Sequence, residues 1–159
     1  MTKKNTNIPD ALAMDITLTK GPPSATVDSI GDPAAGGEVL FLGRTRDEAH
    51  PEYGPLRALH YTAYETMAIE QLKELAAQSK QKYGVSAVRI HHALGAVEPG
   101  QISVLIQVRS GHRAEAFEAC RWLIDELKKS VPIWKQEIWQ SSQTWSVSTA
   151  DQASEATHP

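Results

Sequence analysis

Residues 110–137 read SGHRAEAFEACRWLIDELKKSVPIWKQE. Ala116, Cys120, Leu123 and Leu127 recur at helical spacing, and Phe117 and Ile124 widen them into a face that should meet a core. The spacing predicts a helix over 112–130, because Pro132 cannot continue it. Beyond the proline, 133–139 alternates apolar and polar, as an edge strand would. One helix thus carries His112 and Arg113 at its start, Lys128 and Lys129 at its end, and Lys135 just past a reversal. The chain as a whole has net charge −3, so this concentration of positive charge is local.

Cations at a helix start oppose the helix dipole, whereas those at its end are favoured by it. His112 and Arg113 therefore read either as an exposed helix start or as an anion-binding pair that accepts a small penalty. Lys128 and Lys129 read as ordinary C-terminal charge or as part of a site. Lys135 sits among apolar neighbours in VPIWKQEIW, sharing one strand face with Glu137. Its plain reading is an exposed strand face; its functional reading is proton transfer. Cys120 falls on the core-facing stripe, and a buried thiol there is inert packing.

Arg113 and Lys128 are 15 positions apart. At ~1.5 Å per residue the helix separates them by about 22 Å. If both serve one small pocket, they come from different copies of the chain. Lys128 and Lys135, joined by the short reversal at Pro132, can meet within one copy.

Upstream, FLGRTR places Arg44 and Arg46 where a strand opens into a loop, pointing the same way, as a phosphate clamp requires. Gly43 before them permits close approach of backbone or ligand. Strands are expected over 15–19, 38–43, 56–64, 87–94 and 102–110. The 38–43 strand should be buried on both faces. A short helix over 24–30 is expected, capped by Ser24. A long helix over 65–83 carries the stripe Met67, Leu72, Leu75 and Ala76 and ends at Gly84. Strand pairs with helices between them indicate an α+β sandwich with a mixed sheet. One domain over 13–147 is expected, with disordered segments 1–12 and 148–159.

The totals narrow the function. With 159 residues and 41% hydrophobic composition the chain can bury a core of its own. A single cysteine excludes a disulfide framework or a cysteine-rich zinc site within the chain. His91 and His92 are strand neighbours facing opposite sides, so they cannot chelate together; no metal is expected. The mild acidity argues against nucleic acid as a partner. No apolar run approaches a membrane span and no secretory signal is read, so a cytoplasmic location is expected.

FLGRTRD, YTAYETMA, IHHALGAVEPG, the opening stretch and SSQTW together resemble the family of large, catalytic subunits of molybdopterin synthase, over about 37–145. The resemblance implies a hammerhead-type α/β fold and a sulfurtransferase of molybdenum-cofactor biosynthesis with no cofactor of its own. Its substrate would be cyclic pyranopterin monophosphate. Its sulfur donor would be a small ubiquitin-like subunit with a C-terminal Gly-Gly thiocarboxylate. A homodimer with one small subunit at each outer end, a heterotetramer, is implied.

The resemblance also assigns sites. Arg44, Thr45 and Arg46 correspond to the substrate-binding strand end, and His112 and Arg113 to the anion-binding pair. Lys128 corresponds to the lysine beside the carrier's C-terminus. Lys135, Gln136 and Glu137 correspond to the second lysine and the acid after it. Lys128 and Lys135 are the implied catalytic residues. Gln136 and Ser146 depart from the family pattern, since many members carry charge there. A non-catalytic docking module for the carrier's Gly-Gly tail is the alternative, but it would not need the deeper cations. A phosphate-handling hydrolase would need a metal site or nucleophile, and the sequence offers neither.

Overall fold

A computed structural model describes residues 11–146. The expected disordered segments, 1–12 and 148–159, lie outside it except for residues 11 and 12. The described residues form an α+β unit of eight strands and two long helices. In chain order these are β1 (Ala13–Lys20), β2 (Gly37–Arg44), β3 (Ala49–His50), β4 (Gly54–Ala63), α1 (Glu65–Tyr83), β5 (Ala87–Val97), β6 (Ile102–Ser110), α2 (Arg113–Ser130), β7 (Ile133–Trp139) and β8 (Gln143–Trp145).

The sheet runs β2-β6-β5-β4-β7-β8, with β1 beside β5 and β3 beside β4. Every pairing is antiparallel except β1 with β5, so the sheet is mixed, as expected. β5 joins two lobes. Its first eight residues pair with β1, and six of them also pair with β6. Its last three pair with β4, which leads on to β7 and β8.

Both helices lie on one face of the first lobe. Leu72, Leu75 and Ala76 of α1 and Ala119, Leu123 and Leu127 of α2 bury against Val88, Ile90, Ile106 and Val108. Cys120 is buried in the same core, and burial pushes its thiol up to about 11. It is therefore a protonated core residue at neutral pH.

Two large residues expected in the helix stripes lie outside them. Met67 is 50% and Phe117 61% exposed. Each neighbours the true stripe residue, Met67 just before Ala68 and Phe117 just after Ala116, one position or about 100° around the axis. Small alanines face the sheet at those levels because the helix sits close to it.

Three further expectations are corrected. Residues 24–30 form no helix. Ser24 Oγ accepts the Thr26 N–H at 3.2 Å. Arg89 and Arg109 donate to the Asp28 carbonyl, the Ser29 hydroxyl and the Ile30 carbonyl. Seven residues make a marginal helix, and these arginines draw the segment across the sheet instead. β2 is not buried on both faces: it is a sheet edge, with Leu40 43% exposed. Conversely β7 is an inner strand, because β8 pairs with its far side.

Among the described residues no helix is long and apolar enough to cross a membrane.

Candidate active site

β4 and β7 pair so that Tyr61 stands opposite Lys135 and Leu59 opposite Glu137. Residues opposite each other project to the same face, so these four side chains share one wall. The end of α2 brings Lys128 to that wall, and the end of β2 brings Arg44 and Arg46. Ser103 and Val104 of β6 complete a cavity of about 490 Å³ where the two lobes meet.

Four cations and two carboxylates, Glu48 and Glu137, face this space. Arg46 Nε lies 2.9 Å from Glu48 Oε1, and Arg44 donates to the Gly100 carbonyl at 2.8 Å. Glu137 is fixed from the second lobe. The Thr144 hydroxyl donates to it at 2.9 Å and itself accepts the Trp139 indole N–H at 2.9 Å. Among the described residues neither Lys128 nor Lys135 has an ion-pair partner, whereas Lys129 pairs with Glu126 at 3.2 Å. Lys128 sits in the last turn of α2, where the helix dipole favours a cation.

The buried layer behind the wall is polar. His92 packs edge-on against the Tyr61 ring at 4.9 Å and donates its Nδ1 proton to the Ala93 carbonyl at 2.8 Å. Burial pulls His92 down to about 4, the Ala93 hydrogen bond opposing, so the ring is neutral. Burial also raises the Tyr61 phenol, with its hydrogen bond to Ser103 opposing. His91 faces away, with Nε2 3.0 Å from Asp15 Oδ2. Burial alone would raise Asp15, but hydrogen bonds from Arg89 and His91 more than offset it and hold the carboxyl below its ordinary value. Among the described residues no cluster of His, Cys, Asp and Glu is placed to hold a metal ion.

Of the residues singled out in the sequence, Arg44, Arg46, Lys128, Lys135 and Glu137 meet in this cavity. Thr45 between the arginines is buried, with its hydroxyl 3.2 Å from Ser103 Oγ. Its backbone is tied to the turn before β6 through Gly100 and Gln101. Gln136 lies on the other face of β7, donating to Gln143 at 3.3 Å. His112 and Arg113 do not line the cavity; they stand at the far end of α2. Gly37 passes so close beneath them that a Cβ would lie 2.6 Å from the His112 carbonyl, so only glycine fits there. Gly43 serves a similar need: a Cβ would lie 2.7 Å from Val104 Cγ1, which makes close strand packing its first role. Tyr61, Ser103 and Glu48 were not foreseen. Tyr61 stood in an alternating strand pattern, but its facing partner depends on the β4–β7 register, which alternation alone does not give.

The profile of the MoaE protein family matches residues 17–130. A molybdopterin synthase catalytic subunit from Pyrococcus abyssi is 34% identical over 82% of this chain and 89% of its own. The chain belongs to the MoaE family. Its function is that of a molybdopterin synthase catalytic subunit, an enzyme of molybdenum cofactor biosynthesis. The fold agrees with molybdopterin synthase from Staphylococcus aureus, with TM-score 0.72 and 29% identity over 84% of this chain and 96% of the other. It also agrees with a chain in a complex of subunits 1 and 2 of molybdopterin-converting factor from Helicobacter pylori. There the TM-score is 0.64, at 22% identity over 92% of this chain and 93% of the other.

Proposed function

We propose that the cavity between Lys128 and Lys135 is where this MoaE chain transfers sulfur to cyclic pyranopterin monophosphate. The sulfur comes from the C-terminal Gly-Gly thiocarboxylate of a small ubiquitin-like partner, and two rounds give the dithiolene of molybdopterin. The observation that carries this reading is one cavity that gathers both lysines and both arginines, while the cysteine is buried elsewhere in the core. A catalyst supplied with sulfur by a partner needs cations and space, not a thiol of its own. The Helicobacter pylori complex, built of two different subunits, supports a second kind of chain as the supplier.

The chemistry divides among the cations. Arg44 and Arg46 hold the phosphate, with Thr45 locking the strand end that carries them. The thiocarboxylate sulfur bonds to a substrate carbon as that carbon's bond to oxygen breaks, the oxygen staying on the opened phosphate in one round and leaving as water in the other. Water then adds to the acyl carbon, the acyl–sulfur bond breaks, and the carrier leaves as a carboxylate while sulfur stays on the substrate. Lys128 stabilises the oxyanion at the acyl carbon. Lys135 moves the proton as the cyclic phosphate opens and water leaves. Glu137, fixed by Thr144, keeps the Lys135 wall in place.

His112 and Arg113 join this site from a second copy. The length of α2 prevents them from reaching their own cavity. Phe117, exposed one helical turn from Arg113, supports a protein surface against that end. The assembly is therefore a homodimer carrying two small subunits.

Incubation of the purified chain with thiocarboxylated partner and the cyclic precursor tests the reading. Dithiolene product is expected, with two carriers consumed for each product. Tight binding without product would select a docking module instead.

A further inference from the structure

Tyr61 lines the cavity directly opposite Lys135, yet it carries no charge and has no part in the scheme above. Its ring is pinned from behind by the edge contact with buried His92. Ser103 lies beside its hydroxyl in the same cavity wall, and Ser103 Oγ lies 3.2 Å from the Thr45 hydroxyl. Thr45 is in turn fixed by backbone hydrogen bonds of 3.0 and 2.7 Å to Gln101 and Gly100. Three hydroxyls thus run from the backbone clamp between Arg44 and Arg46 to the cavity wall. Each hydroxyl has one proton to give and can accept as well. When Thr45 donates to Ser103 and Ser103 donates to Tyr61, the phenol's own proton is left to point into the cavity.

We propose that Tyr61 is a substrate-orienting residue, its phenolic O–H aligned by Ser103 and Thr45 to donate to an anionic oxygen of the phosphorylated substrate beside Lys135. The proposal rests on the sulfur-transfer reading above. The surrounding ammonium and guanidinium groups attract an anion from many directions. A single O–H on a pinned ring adds direction, which fixes the substrate relative to Lys135. Burial keeps the phenol protonated, so it remains a donor in a cavity rich in cations.

Steady-state kinetics of the assembled enzyme, with precursor and thiocarboxylated partner titrated separately, test this. Product formation by the unaltered enzyme establishes the sulfur-transfer reading by itself; no product would overturn that reading. Tyr61→Phe should raise KM for the precursor roughly tenfold or more, the effect of a lost hydrogen bond to a charged group. kcat and the KM for the carrier should stay within about threefold. Ser103→Ala keeps the ring and its packing, so it also serves if the tyrosine variant folds poorly. It should raise the precursor KM about threefold, because the phenol is misdirected and not removed. The double variant should be no worse than Tyr61→Phe alone. A precursor KM unchanged in Tyr61→Phe, a rise confined to the carrier KM, or multiplied effects in the double variant would each overturn the proposal.

Discussion

The two ends of α2 carry similar charges in opposite settings. At its C-terminal end Lys128 faces a cavity shared with Lys135, Arg44, Arg46 and the half-buried Tyr61, backed by a buried layer of Ser103, Thr45 and His92. At its N-terminal end His112 adopts an extended cap conformation with no side-chain capping bond, and Phe117 nearby is exposed. One end is a built half-site. The other is a set of groups that lie away from that cavity. On the proposed reading, a helix used this way would hold two half-sites a fixed distance apart, and a second copy would join them.

The largest effect that breaks this contrast falls at the built end. Lys128→Ala should lower turnover roughly 100- to 1,000-fold, the scale of a lost oxyanion-stabilising group. Melting temperature should hardly move, since Lys128 makes no ion pair among the described residues. Near-normal turnover would remove Lys128 from the mechanism. Arg113→Ala should lower kcat/KM by a smaller factor, roughly 10- to 100-fold, as a charged hydrogen bond is lost. Mixing the two impaired variants sharpens the comparison. In a mixed dimer one site carries both lesions and the other carries neither. An equal mixture with free exchange should thus recover about one quarter of the sites. No recovery, with exchange shown by mass, would place Arg113 and Lys128 in the same chain's site.

Much of this contrast was legible in the sequence, for local reasons. The bounds of α1 and α2 follow from apolar spacing and from Gly84 and Pro132. The 15-residue separation of Arg113 and Lys128 is a matter of helix rise alone. Arg44 and Arg46 announced themselves by leaving a strand on the same side. What stayed hidden depends on partners far along the chain. β2 looks like a central strand until the sheet order puts it at the edge. Tyr61 looks like any alternating aromatic until the β4 register sets it opposite Lys135. Apolar spacing assigns Met67 and Phe117 to the core-facing stripes, but the buried positions are their neighbours Ala68 and Ala116.

The buried layer behind the built end has its own signature in pH. The unfolded His92 imidazole titrates near 6.5, and the folded one only near 4. Between these values the unfolded chain binds a proton that the folded chain does not, so lowering the pH favours unfolding. Stability should fall by about 3 kcal/mol between neutral pH and pH 4, and this contribution should be level above pH 7. Asp15 acts in a lower window. Its folded pKa lies below the ordinary 3.8, so its contribution is present above that value and is lost as pH falls through the folded one. Urea unfolding of the wild type and of His92→Phe at several pH values separates them. The variant keeps a ring against Tyr61 and should lose the slope between pH 4 and 6.5. An equal slope in both proteins would show that the buried layer behind the cavity does not depend on a neutral His92.

The smallest effect concerns how firmly the second lobe holds its part of the cavity. Thr144 of β8 bridges Glu137 and Trp139, both of which line it. Thr144→Val keeps the shape but removes the hydroxyl that donates to one and accepts from the other. Trp139 is buried, so its indole N–H would lose its partner, at a cost of about 1–3 kcal/mol in stability. Glu137 would keep its charge but lose a restraint on its direction. kcat/KM should then fall only a few-fold, about three- to tenfold, far less than for Lys128→Ala. A Thr144→Ser variant restores the hydroxyl and should restore activity. If valine leaves kcat/KM unchanged while lowering stability, the bridge holds β8 to β7 and has no influence on the acid beside Lys135. If serine fails to rescue, the methyl packing of Thr144 is what matters, and the cavity's second wall is held by shape and not by the hydrogen-bonded pair.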